Sequence, residues 1–267
     1  MGAFVKKFLD LSSWSVAIGT AIGSMLIVAF AVVGCDDSSS ASAGANDDDS
    51  ISESSNYKAT TSSLTDVRDG KTYKIVTIGD KVWMAENLNY AYLQSTADDD
   101  SSSFCFGGVA SNCDEYGRLY MWSAAMDSAG IWTANGKGCG LGVTCLPTYP
   151  VRGVCPSGWH LPDTTEWNSL IFAVGGSDVA GKMLKSATGW YNHFNGTDVY
   201  NFAALPAGLW HVYAGYGGEG NVANFWSSVE ETDALFAIGV SLVYDSESVS
   251  LHGPNKSYAY SVRCVKD

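Results

Sequence analysis

The chain has 267 residues, 46% of them hydrophobic and 16% charged, with seven cysteines and a formal net charge of −13. So acidic a chain excludes nucleic acid as a partner and disfavours docking on an anionic lipid surface. The hydrophobic share excludes a wholly disordered protein, and the length allows one well-buried core with room for terminal extensions.

The N-terminus has the parts of an export signal. Lys6 and Lys7 precede an uncharged apolar run over residues 14–33, which ends in Val32-Val33-Gly34-Cys35. A basic start, an apolar middle and small residues before a cut predict a signal peptide over residues 1–34. The last four residues resemble the lipobox of bacterial lipoproteins. That likeness implies cleavage after Gly34 and a diacylglycerol on the Cys35 thiol, leaving Cys35 as a lipid anchor in the membrane. The competing reading is a transmembrane helix, because about 20 apolar residues suffice to span a bilayer. Residues 35–63 are mostly Ser, Ala, Asp, Asn and Thr. They predict an acidic tether that has too little apolar surface to fold. Asp47, Asp48 and Asp49 within it read as a solvated charge run rather than a cation site. The folded domain is expected over residues 64–267.

Within the domain, residues 72–78 alternate and are rich in β-branched side chains, and Gly79-Asp80 turns them into residues 81–84, a predicted β-hairpin. Residues 98–103 read as a loop. Tyr120 with Ala124, and Met121 with Ala125, have the four-residue spacing of a short helix over 119–126. The clearest local signal is Cys-Pro-Ser-Gly-Trp-His-Leu-Pro-Asp-Thr-Thr-Glu-Trp from Cys155 to Trp167. Asp163 and Glu166 make a capping box, and Trp167, Leu170, Ile171 and Val174 form one apolar helical stripe. Gly175-Gly176 ends that helix. A further helical turn is expected at 182–186. Strands are expected at 202–205, 225–227, 234–242, 249–252 and 259–265. Mixed strands with few, irregularly placed helices predict an α+β fold with antiparallel pairing.

Setting Cys35 aside leaves Cys105, Cys113, Cys139, Cys145, Cys155 and Cys264. An even remainder in an exported chain predicts disulfides, although sequence does not choose the pairing. The expected set is Cys105–Cys113 and Cys139–Cys145 as local staples, with Cys155–Cys264 closing a long loop. Zinc is not expected, since no Cys-x-x-Cys pair occurs and His160, His193, His211 and His252 are scattered.

No catalytic constellation is specific. Gly-x-Ser-x-Gly, Walker-type and dinucleotide glycine patterns are absent. Glu86 and the adjacent Glu230 and Glu231 are weak acid candidates, and Glu166 is better used as a cap. The chain is therefore expected not to be an enzyme, and no cofactor is expected. Asn192, Asn195, Asp198 and Asn201 offer hard oxygens for calcium, weighed against ordinary turn chemistry. The best binding signal is aromatic. Trp210, Tyr213 and Tyr216 lie in a glycine-rich stretch expected to be an exposed loop, with Trp190 and Tyr191 upstream. Such rings stack on the apolar faces of sugars while keeping a polar handle. A core role for Trp210 is the alternative.

Several motifs occur together and in order. They are Val82-Trp83-Met84-Ala85-Glu86-Asn87-Leu88, Gly117-Arg118-Leu119-Tyr120-Met121-Trp122-Ser123, the Cys155–Leu170 stretch, Gly181-Lys182-Met183-Leu184, Phe225-Trp226-Ser227-Ser228 and Val262-Arg263-Cys264-Val265. In this order they resemble the Fibrobacter major paralogous domain, or FISUMP family, over most of residues 65–267. His160-Leu161-Pro162 with Glu166-Trp167, and Val262-Arg263-Cys264, are also similar to the formylglycine-generating (sulfatase-modifying factor) family. The resemblance implies a C-type-lectin-like fold whose terminal strands meet, and an exported, lipid-anchored protein. No reaction comes with it. The expected function is a cell-envelope binding or adhesion module for a polysaccharide or a surface protein, on the outer membrane or cell surface rather than the inner membrane. The alternatives are an enzyme or accessory subunit of glycan metabolism, and a purely structural envelope protein.

Overall fold

A computed structural model describes residues 62–93 and 102–267. The expected signal peptide, Cys35 and nearly all of the tether lie outside the described residues. The first strand, β1 (Ser62–Thr65), starts just ahead of the expected domain boundary. It is followed by β2 (Thr72–Ile78), β3 (Lys81–Met84), β4 (Ser103–Phe104), helix α1 (Ala110–Tyr116), β5 (Leu119–Met121) and the single-turn helix α2 (Trp122–Ala125). A long irregular stretch leads to β6 (Trp159–His160), α3 (Thr164–Ala173) and α4 (Ser177–Leu184). Strands complete the chain: β7 (Ala207–His211), β8 (Gly215–Glu219), β9 (Val222–Glu230), β10 (Ala237–Val243), β11 (Val249–His252), β12 (Tyr258–Tyr260) and β13 (Val265–Lys266).

Two sheets organise the α+β domain. One has the order β1-β2-β3-β13-β6. The other runs β11-β10-β9-β7-β12-β5-β4, with β8 added on β7. All strand pairs are antiparallel except β7 with β9, which run parallel at Gly208 and Ala223. Residues 261–264 carry the chain from the larger sheet to the smaller one, where Val265 pairs with both Trp83 and His160.

The helix start at Asp163 is the one expected. Its carboxylate accepts from Glu166 N at 2.9 Å, and Glu166 Oε2 accepts from Asp163 N at 3.1 Å. The stripe of Trp167, Leu170, Ile171 and Val174 is buried against Trp83, Phe202 and Phe225, with the Trp83 and Trp167 rings 4.9 Å apart. A second cluster centres on Trp122, Trp226 and Tyr260, the last two stacked at 4.5 Å. The Trp122 and Trp226 indoles are both hydrogen-bonded. Trp122 Nε1 donates to Ser227 O at 2.9 Å, and Trp226 Nε1 donates to Tyr120 O at 2.7 Å.

Four expectations need correction. Residues 119–126 are not one helix. Tyr120 pairs with Ser103 on one side and Tyr260 on the other, and that double ladder overrides the helical spacing. Residues 215–220, expected as an exposed loop, contain β8, because the glycine backbone still completes hydrogen bonds to β7. The approach is close enough that a Cβ at Gly208 would lie 2.5 Å from Gly217 O. Residues 202–205 make only an isolated bridge at Ala204, since Asn201 and Ala203 adopt left-handed φ of 55° and 51°. The expected strand at 259–265 is split into β12 and β13 by the crossing between sheets.

The six cysteines are joined as Cys105–Cys113, Cys139–Cys145 and Cys155–Cys264. Cys155 and Cys264 are fully buried, and their bond ties the entry to β6 to the crossing segment.

Candidate functional site

The β7–β8 hairpin places the aromatic residues singled out in the sequence. Trp210 and Tyr216 are directly opposed across the ladder and share one face. Phe104 of β4 stacks on Trp210 with ring centroids 4.4 Å apart and planes at 26°. Phe106, in the turn after β4, meets Tyr216 edge-on at 5.3 Å. All four rings are half-buried, so each keeps an exposed part while its position is fixed by a neighbour. Such pairs contribute roughly 0.5–1.5 kcal/mol beyond the area they bury. Burial also raises the pKa of the Tyr216 phenol, which keeps it a neutral hydrogen-bonding group.

Tyr213 belongs elsewhere. It sits at the hairpin tip, 90% exposed, and its ring contacts His211 at 5.5 Å. His211 is adjacent to Trp210 in a strand and therefore faces the opposite side. There it packs on Tyr258 at 4.3 Å. His211 Nδ1 accepts from the backbone N–H groups of Tyr213 and Ala214, both at 3.3 Å, and holds the tip closed.

Trp190 offers no face to solvent. It is 4% exposed, and its indole N–H donates to Ser186 Oγ at 3.1 Å and Ala204 O at 3.2 Å. Tyr191 is exposed and rests edge-on against Tyr244 at 5.5 Å, with its backbone N–H donating to Gly220 O at 2.8 Å. It thus lies at the far end of β8 from the tip. The structure joins Trp210 with Tyr216 and adds Phe104 and Phe106, while Tyr213, Trp190 and Tyr191 stand apart. The two phenylalanines escaped sequence reading because they precede Trp210 by about a hundred residues and meet it only through the sheet.

The oxygens considered for calcium have local work. Asn195 Oδ1 accepts from Trp190 N at 3.1 Å, and Asp198 Oδ1 accepts from Ala203 N at 2.7 Å. Among the described residues no group of three or more His, Cys, Asp or Glu is placed to hold a metal. Glu230, weighed as an acid, accepts from Cys145 N at 2.6 Å and lies 3.3 Å from Lys256 Nζ.

A titrating cluster that the sequence did not announce gathers at one edge of the smaller sheet, where β3, β13 and β6 are neighbours. His160 Nδ1 lies 2.7 Å from Asp267 Oδ1, and its Nε2 lies 2.9 Å from Glu166 Oε1, which also takes Lys81 Nζ at 3.1 Å. Burial works against the imidazolium, but the bonds to Glu166 and Asp267 outweigh it and raise the His160 pKa above 6.5. Burial likewise works against the Glu166 carboxylate, yet His160 and Lys81 hold it down at about 2. The Glu166 contribution is fully present above its ordinary 4.5 and is lost as pH falls towards 2. The His160 contribution is fully present below 6.5 and is lost as pH rises through the raised value. The thermal midpoint is therefore expected to be highest between about pH 4.5 and 6.5. Glu166→Gln should flatten both limbs, and a midpoint indifferent to pH in the parent protein would refute the assignment.

The fold and its aromatic face define a class: a disulfide-stapled α+β domain with a half-buried aromatic surface. The chain belongs to the Fibrobacter succinogenes major domain family, whose model matches residues 76–266. No curated protein and no solved structure matches it.

Proposed function

We propose that this chain is a lipid-anchored envelope module of C-type-lectin-like fold that binds polysaccharide on the β7–β8 aromatic face. One observation carries the reading: Trp210 and Tyr216, paired across the hairpin, are braced by Phe104 and Phe106 into a single aromatic surface. Pre-positioned rings lose little freedom on binding, which favours affinity. The pairing of β13 with β3 and the Cys155–Cys264 tie support the lectin-like arrangement, in which terminal strands meet. Three disulfides fit an oxidising compartment outside the cytoplasm. Many anchored copies would add avidity to a shallow contact.

The test mixes the full chain, in mild detergent, with insoluble cellulose and xylan, with and without calcium. Retention is expected, and Trp210→Ala should weaken it about tenfold or more. Because Trp210 is only half-buried, the same change should leave the domain folded. Tyr213→Ala, on the other face, should leave retention unchanged. Retention by neither polymer would overturn the reading, and release of reducing sugar would replace binding with catalysis.

A further inference from the structure

A second site lies on a different part of the domain. A cavity of about 640 Å3 opens between β2, the segment after β3, the end of α1 and the 198–205 loop. That volume is within the range of small-molecule sites. We infer that this cavity binds a neutral, hydroxyl-rich ligand, a single sugar residue, as a subsite separate from the aromatic face. The inference rests on the glycan reading above and gives it a pocket for one ring.

The cavity is built rather than incidental. At Gly117 a Cβ would lie 2.6 Å from Asn87 Cβ and 2.8 Å from Asn87 O, so only glycine lets the end of α1 close on this wall. On the opposite wall, Asp198, Asn201 and Ala203 all adopt left-handed φ, of 49°, 55° and 51°. For alanine this conformation costs roughly 1–2 kcal/mol. It is held by the bond from Ala203 N to Asp198 and by Arg263 Nη2, which donates to Ala203 O at 2.8 Å. Strain held this firmly gathers at functional sites.

The polar groups favour a neutral ligand rich in donors. Asn89 is 9% exposed, and its Oδ1 is buried with no hydrogen-bond partner. Asp198 is kept by burial above its ordinary carboxylate pKa, despite the nearby Arg263 and the Ala203 N–H. Lysines on the wall are already engaged. Lys71 Nζ donates to Asn89 O at 2.6 Å, and Lys74 Nζ lies 3.6 Å from Glu86 Oε1. An anionic ligand therefore meets no uncommitted lysine. An ammonium ligand meets Asp198, whose charge the buried Arg263 offsets, and Glu86, which is paired with Lys74; Asp114 and Glu115 also line the cavity but are exposed, where solvent and salt screen them. Hydroxyl groups can donate to Asp198 and accept from Asn201. Ala85, Ala187 and Leu205 supply apolar surface for the C–H faces of a sugar.

The experiment titrates the full chain with glucose, xylose, galactose, mannose and arabinose, followed by ligand-observed NMR. Glucosamine and glucuronate serve as the charged probes. At least one neutral sugar is expected to bind, at least about tenfold better than either charged probe. Thr188→Trp, at an exposed lining position, should fill the cavity and abolish this binding with little change in thermal midpoint. Asp198→Asn should weaken it, and Tyr213→Ala, at the exposed hairpin tip, should not. Tighter binding of glucosamine or glucuronate would overturn the assignment. So would binding that survives Thr188→Trp, or binding by none of the neutral sugars. If polymers are retained while every monosaccharide fails, this inference falls and the aromatic-face reading stands. If both fail, the glycan reading falls with it.

Discussion

Replacing Cys155 and Cys264 together with alanine is expected to destabilise the domain by about 5 kcal/mol, the largest effect of any cysteine pair. The two residues are 109 apart in sequence, whereas the partners in the other bonds are 8 and 6 apart. In the chain-entropy account, a cross-link stabilises by restricting the unfolded ensemble, and the effect grows with the logarithm of the loop. The same account gives about 2.5 kcal/mol for either short loop. The position matters as well as the length. Cys264 O accepts from Met84 N at 3.0 Å, so the bond fixes the segment that stitches β13 to β3. For a domain of this size the thermal midpoint should fall by roughly 10–20 °C. Urea unfolding of the double variant beside Cys105→Ala/Cys113→Ala gives the comparison. Equal losses for the two variants would show that loop length does not govern these bonds.

Local signals carried most of what was legible. Asp163, Glu166 and the stripe from Trp167 to Val174 specify a helix from their own spacing, and the structure has that helix with both capping bonds made. Gly79-Asp80 sets the β2–β3 turn in the same local way, with Ile78 paired to Lys81 across it. Elements that depend on distant partners were misread. Tyr120 is in a strand because Ser103 and Tyr260 flank it, and nothing within four residues of it says so. Glycines at 215, 217 and 218 look like a loop until β7 is alongside. The aromatic face was half legible: Trp210 and Tyr216 are close in sequence, while Phe104 and Phe106 reach them only through β12 and β5. The cavity was not legible at all. Its walls come from segments near residues 72, 87, 115, 187 and 200, and no motif links them. His160 and Asp267 are likewise joined only when β13 lies beside β6.

Arg263→Met should cost roughly 3–5 kcal/mol, although no carboxylate bonds the guanidinium. Arg263 is fully buried. Its Nε donates to Asn87 Oδ1 at 2.6 Å, Nη1 to Met84 O at 3.1 Å and Phe202 O at 2.5 Å, and Nη2 to Ala203 O at 2.8 Å. One side chain thus satisfies four acceptors from two segments, 84–87 and 202–203, and its guanidinium carbon lies 4.6 Å from the Phe202 ring centroid. Burial pulls its pKa down to about 9, which still leaves it charged at neutral pH. Methionine fills much of the volume but strands all four acceptors, and each buried orphan costs on the order of 1–3 kcal/mol, with relaxation reducing the sum. Arg263→Lys should recover only part of the loss, because an ammonium cannot reproduce the planar fork. A second readout separates this network from simple packing. Arg263 favours the Asp198 carboxylate across Ala203, so its removal should raise the Asp198 pKa further. Carboxyl 13C chemical shifts followed against pH report that change in any variant that remains folded. Unfolding of Arg263→Met within about 1 kcal/mol of the parent, with Asp198 titrating unchanged, would mean that the four acceptors find other donors and that the guanidinium does not organise the cavity wall.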